Sequence, residues 1–209
     1  MKSIFTLTEK EIRLDLQNGG HPSYRGRQIW EWLYEKSQAD PQKMANLGKE
    51  LRNWLASAYQ WKQLEVIKTI QDPRGETIKF LLGLPDGNTL EMVIMRYLNK
   101  EHTRERNTLC LSSQIGCPVG CPFCATGQSG FTRNLQFSEL MEQVFLANEY
   151  LAPMGERIDN VVFMGMGEPL LNRDAVFSAI SLLRQNFVIS QRRITLSTSG
   201  VPEGILAMA

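Results

Sequence analysis

Apolar residues recur at helical spacing through residues 1–60. Ile29, Trp30, Leu33 and Tyr34 share one face of a helix predicted over 24–36, and Leu47, Leu51, Trp54 and Leu55 share a face of another over 47–58. Thr8 to Glu11 has the form of a capping box, which predicts an earlier helix starting there, and Gly19, Gly20 and Pro22 separate it from the second. From Leu64 the period shortens to β-type runs over 64–70, 77–82 and 90–95, with turn chemistry at Asp72-Pro73-Arg74-Gly75 and Pro85-Asp86-Gly87-Asn88. These predict a small antiparallel sheet. The pattern then alternates: strand 108–113, helix 138–150, strand 160–164, helix 174–185, strand 193–197. Such a βαβαβ series implies parallel strands, right-handed crossovers and a site at the strands' carboxyl ends. The expected fold is α/β. A helical module spans 1–60, a small antiparallel β extension 61–100, and the first half of a partial parallel (β/α) barrel 101–209, with no fourth βα unit before Ala209.

Composition adds limits. With 209 residues, 43% of them hydrophobic, the chain can bury a sizeable core. A formal net charge of +1 gives no global argument for nucleic acid, so RNA binding would need a local basic surface. No apolar run approaches the roughly 20 residues of a membrane helix, and the N-terminus turns charged before any signal-type segment develops, so a cytoplasmic location is expected.

Cysteine usage changes the picture. Cys110, Cys117, Cys121 and Cys124 are the chain's four cysteines, crowded into one stretch, which favours a metal or redox site over a disulfide framework. Cys117-Pro-Val-Gly-Cys121-Pro-Phe-Cys124 is a C-x3-C-x2-C loop after a strand. Pro118 and Pro122 oppose helix, and Gly116 and Gly120 let backbone approach a bulky inorganic core. Thiolates suit zinc as well as iron–sulfur clusters. Structural zinc usually takes four ligands, and His21 and His102 stand in no recognisable zinc spacing to these cysteines. Three close cysteines would leave one iron of a [4Fe–4S] cluster open to S-adenosylmethionine, whose sulfonium an electron from the cluster can cleave. Cys110 as a fourth ligand is the rival.

The cysteine loop, Gly165-Met166-Gly167-Glu168-Pro169 after an apolar strand, and Leu196-Ser197-Thr198-Ser199-Gly200 together resemble the radical S-adenosylmethionine RNA methyltransferases of the RlmN and Cfr type. Cys110-Leu-Ser-Ser-Gln-Ile-Gly-Cys117, Phe131-Thr-Arg-Asn-Leu and Tyr24-Arg-Gly-Arg-Gln-Ile-Trp extend the likeness over nearly the whole chain, closer to the RlmN branch. The resemblance implies a radical S-adenosylmethionine barrel and methylation of adenosine C2 in 23S rRNA, and in tRNA. It makes Cys117, Cys121 and Cys124 the cluster ligands, and Gly167, Glu168 and Ser197 contacts to S-adenosylmethionine. Glu91 becomes the base that takes the C2 proton, and Cys110 the resolving cysteine that forms a disulfide with a methyl-carrying one. A reducing, flavodoxin-like electron donor and a monomeric enzyme are implied too. The family's methyl-carrying cysteine lies near its C-terminus, and no cysteine follows Cys124 here. This chain alone is therefore expected to lack the complete transfer.

Plainer readings stand beside these. Glu91 read alone is an outward residue on an alternating strand, and Cys110 a buried strand cysteine. Arg96, Lys100, Arg104 and Arg106 could touch phosphate, but Glu101 and Glu105 interrupt them, as on a solvated face.

Overall fold

The computed structural model describes residues 1–98 and 105–208. Its elements in chain order are β1 (Lys2–Ser3), α1 (Glu9–Asn18), α2 (Arg25–Tyr34), α3 (Lys49–Ala58), β2 (Tyr59–Gln60), β3 (Glu65–Gln71), β4 (Thr77–Gly83), β5 (Thr89–Tyr97), β6 (Arg106–Cys110) and β7 (Gln114–Gly116). Then come α4 (Ala125–Gln128), β8 (Phe131–Asn134), α5 (Phe137–Leu151), β9 (Asn160–Phe163), α6 (Arg173–Asn186), β10 (Ile194–Leu196) and α7 (Pro202–Leu206).

α1 begins where the sequence indicates. The Thr8 N–H donates to Glu11 Oε2 at 2.8 Å, and the Glu11 N–H donates back to Thr8 Oγ1 at 3.3 Å. Ile12 and Leu16 of α1, Ile29 and Leu33 of α2, and Leu51 and Leu55 of α3 are the buried positions that hold the helical module together.

The antiparallel extension and the parallel strands form one sheet, ordered β10-β9-β6-β5-β4-β3. β3 to β6 pair antiparallel, whereas β6, β9 and β10 pair parallel. The extension is thus continuous with the barrel strands, because the second half of β5, from Val93 to Tyr97, pairs with β6 instead of closing a small sheet of its own. One face of the sheet carries the buried alternates Ile78, Phe80, Leu82, Leu90, Met92, Ile94, Leu109, Val161 and Phe163, packed into the core with α5 and α6. The opposite face carries the half-exposed alternates, among them Glu91, Val93, Cys110 and Val162. α5 is buried on most sides because it lies between the sheet and the N-terminal segment; Phe145 meets Phe5 with ring centroids 4.8 Å apart.

Candidate radical-chemistry site at the carboxyl ends of the parallel strands

Beyond their last residues, β6, β9 and β10 lead into Leu111–Gln114, Met164–Glu168 and Ser197–Gly200, and these segments are bonded to one another. The Gly165 N–H reaches Leu111 O at 2.9 Å, the Ser113 N–H reaches Met166 O at 2.8 Å, and the Ser197 N–H reaches Phe163 O at 3.3 Å. Ser112 has no exposed surface and acts as a junction. Its hydroxyl donates to Glu91 O at 2.5 Å and accepts the Met166 N–H at 2.9 Å, while Gln143 of α5 accepts the Ser112 N–H and donates to Ser112 O, both at 3.1 Å. Asn172 donates to Ser113 O and Leu135 O, both at 2.8 Å. Buried polar groups need partners, and here they find them across four elements, which sets the end of the sheet rigidly.

The three loop cysteines sit on a hairpin that periodicity did not indicate. β7 and β8 pair antiparallel and bracket residues 117–130. A side chain on Gly116 would put its Cβ 1.9 Å from Gly130 O, so only glycine allows this closure. The Cys117 N–H then bonds Gly130 O at 2.9 Å, and the Cys124 N–H bonds Cys121 O at 3.0 Å. N–H donation from Gly127, opposed by burial and helped by Thr126, pulls the Cys124 thiol below its ordinary pKa. All four cysteines are free thiols, so the disulfide expected of Cys110 is not made among them. Among the described residues no three His, Cys, Asp or Glu side chains already converge on a single metal position. The donor set itself, three thiols on one loop, fits a cluster with one iron lacking a protein ligand better than it fits four-coordinate structural zinc.

Gly167 has φ +97, and a Cβ there would come 2.5 Å from Gln114 Cβ, which keeps bare backbone at this edge of the site. Glu168 is 4% exposed. Its carboxylate accepts the Ser199 N–H and the Thr198 hydroxyl, both at 2.7 Å, and the Leu170 N–H at 3.0 Å. Burial pushes its pKa up, but these bonds outweigh burial and hold the carboxyl below its usual value. Glu168 thereby ties the β9 loop to the β10 loop and sets the spacing of Gly167 from the exposed Ser197.

Cys110 and Glu91 both project from the open face. Cys110 pairs with Val93, two residues from Glu91 on the same side of β5. Burial pushes the Cys110 thiol up, against a weaker effect of the Met164 backbone. Glu91 Oε1 lies 2.7 Å from Lys79 Nζ, both side chains 44% exposed. Of the basic residues considered for phosphate, Arg96 is paired with Glu156 and Arg106 lies over the Tyr97 ring at 4.2 Å, both at the amino end of β6, away from the cysteine loop. Lys100 and Arg104, with Glu101 and His102, lie outside the described residues. Ser112, Gln143, Asn172 and Lys79 escaped sequence reasoning because each is an ordinary polar residue whose partners are distant in the chain.

Comparison with known proteins agrees with this arrangement. Residues 111–207 match the Radical SAM superfamily, and residues 3–60 match the Ribosomal RNA large subunit methyltransferase N-terminal domain. A probable dual-specificity RNA methyltransferase RlmN of Dictyoglomus turgidum is 42% identical over 211 residues, covering 100% of this chain and 58% of that protein. One from Protochlamydia amoebophila is 44% identical over 192 residues, covering 91% and 52%. The crystal structure of a radical SAM methyltransferase from Sphaerobacter thermophilus superposes with a TM-score of 0.91 at 38% identity, over 100% of this chain and 60% of that one. The chain spans a little over half the length of these relatives. With both of its parts matched, at the helical module and at the cysteine-bearing strands, the chain belongs to the RlmN-type family of radical SAM RNA methyltransferases.

Proposed function

We propose that this chain forms the cofactor-binding part of an enzyme that methylates C2 of adenosine in 23S rRNA and in tRNA. Cys117, Cys121 and Cys124 hold a [4Fe–4S] cluster, and Gly167, Glu168 and Ser197 border the S-adenosylmethionine. Glu91 takes the C2 proton, and Cys110 resolves the protein–RNA adduct. The observation that carries the reading is one of place. The cysteine hairpin, the glycine loop and Ser197 follow three neighbouring parallel strands, and the open face beside them bears Cys110 and Glu91.

When bound, the cluster supplies the electron that cleaves the sulfonium of S-adenosylmethionine, chemistry that can reach a carbon with no acidic proton. The chain's own residues prepare the ground for it. Glu168 keeps the two cofactor-bordering loops at one spacing, and Ser112 holds the Glu91 backbone against the Met166 loop. Burial raises the Cys110 thiol above its ordinary pKa, which favours its protonated form. The electron comes from a reducing, flavodoxin-like protein, and the chain acts as a monomer in the cytoplasm.

The test is anaerobic iron and sulfide content with EPR of the reduced chain, with and without S-adenosylmethionine, in wild type and Cys110→Ala. About four irons and a cofactor-dependent spectrum that survives Cys110→Ala are expected. Bound zinc, or a cluster that needs Cys110 and ignores the cofactor, would overturn the reading and leave a metal-binding protein without radical chemistry.

A further inference from the structure

One row of side chains crosses the open face of the sheet. Pairing sets Lys79 opposite Val93, Val93 opposite Cys110, Cys110 opposite Val162, and Val162 opposite Thr195. Register partners point to the same face, so Lys79 and Cys110 stand two strands apart, about 10 Å, with Val93 between them. From there the Lys79 ammonium leans toward the strands' carboxyl ends and meets Glu91 Oε1 at 2.7 Å. Glu91 in turn is held through its backbone, where its carbonyl accepts the Ser112 hydroxyl. A cation, a carboxylate and a thiol therefore border one half-exposed patch of sheet.

We infer that Lys79 contacts the substrate, donating a hydrogen bond to a ring nitrogen of the target adenine next to C2 while it stays paired with Glu91. The inference rests on the adenosine C2 reading above. In adenine the C2–H lies between N1 and N3, both acceptors. A carboxylate close enough to take the C2 proton faces those two lone pairs, an unfavourable approach unless a donor stands beside it. An ammonium has three donors and no acceptor, and Glu91 engages one of them. A second, given to N1 or N3, draws electron density from the ring and favours radical addition at the amidine carbon. Made at N1, the same contact also selects the base: guanine carries an N–H there and an amino donor at C2, whereas N3 is an acceptor in both purines.

Fluorescence anisotropy with an RNA stem–loop presenting one unpaired adenosine tests the contact. The same RNA is also made with 1-deazaadenosine or 3-deazaadenosine at that position. Lys79→Met is expected to weaken binding about tenfold, the scale of one hydrogen bond to a charged group, and Lys79→Arg to retain most of it. One of the two deaza substitutions should cost the wild-type chain the same factor and cost Lys79→Met nothing. Because the ion pair is half exposed, Lys79→Met keeps the wild-type melting temperature. Equal binding by wild type and Lys79→Met, or equal deaza penalties in both, would overturn the inference. A wild-type chain that binds no RNA would fail differently, removing the RNA reading itself.

Discussion

Glu142 is 1% exposed on α5, yet its Oε1 accepts the N–H groups of Gln63 at 2.6 Å and Leu64 at 2.8 Å, where the helical module leads into β3. Burial disfavours the charge, the two N–H bonds and Lys62 favour it, and burial wins, raising the pKa to about 7 from 4.5. The folded chain therefore keeps a proton that the unfolded chain releases. This contribution to stability is complete below the unfolded value and is lost as pH rises from there through the folded one, with a total of about 3 kcal/mol. Glu168 has the opposite sign, since its lowered pKa stabilises at neutral pH and is lost on acidification. Glutamine mimics the protonated acid and still accepts both N–H groups. Urea unfolding of Glu142→Gln at pH 5 and pH 8 should accordingly show a much smaller loss of stability between the two than wild type shows. An unchanged difference would mean that Glu142 is ionised in the fold.

At the scale of elements, the cysteine hairpin hangs on one guanidinium. Arg133 of β8 stands opposite Ile115, two residues before Cys117. Its two terminal nitrogens meet both oxygens of Glu139 at 2.8 Å, and its Nε meets Asp86 of the β4–β5 turn at 2.6 Å. Glu139 also accepts the Gln136 N–H at the start of α5, so a single side chain connects hairpin, helix and turn. Arg133→Met strands a nearly buried carboxylate and is expected to cost about 2 kcal/mol in urea unfolding and to lower the iron retained after anaerobic reconstitution. Asp86→Asn, at an exposed turn, should cost less in both. Wild-type stability and iron content in Arg133→Met would show that backbone pairing alone holds the hairpin. This element also marks where the sequence stops being legible. The helix predicted over 138–150 forms as Phe137–Leu151, and the strand predicted over 160–164 as Asn160–Phe163, because long periodic segments declare their buried face. β7 and β8 are too short to show a period, and what positions them is a glycine closure and an ion pair to a turn far back in the chain. The cysteines were legible from spacing; Ser112 and Lys79 became visible only through register and burial.

For the whole molecule, the question is whether the helical module and the sheet unfold as one body. They share a core. Ile4 and Phe5 have no exposed surface, Phe5 packs on Phe145 of α5, and Asn186 at the end of α6 donates to Leu7 O at 2.8 Å. Trp30 Nε1 lies 3.4 Å from Asn186 Oδ1, and Lys62 pairs with Glu149 of α5. All of these contacts close over long sequence separations, so the α5 face loses its cover if the module leaves. Chain composition provides a clean readout, because the four tryptophans are Trp30, Trp32, Trp54 and Trp61, all on the module side of β3. Tryptophan fluorescence thus follows the module and, through Trp30, its seam with α6, while far-UV circular dichroism follows the whole fold. The shared core predicts that urea transitions by the two probes coincide. Phe5→Ala, which opens a cavity against α5, should shift both together by about 3 kcal/mol. A fluorescence transition that moves while the dichroism transition stays would mean that the module is an independent unit resting on the sheet, and that the contacts of Phe5 and Asn186 only dock it.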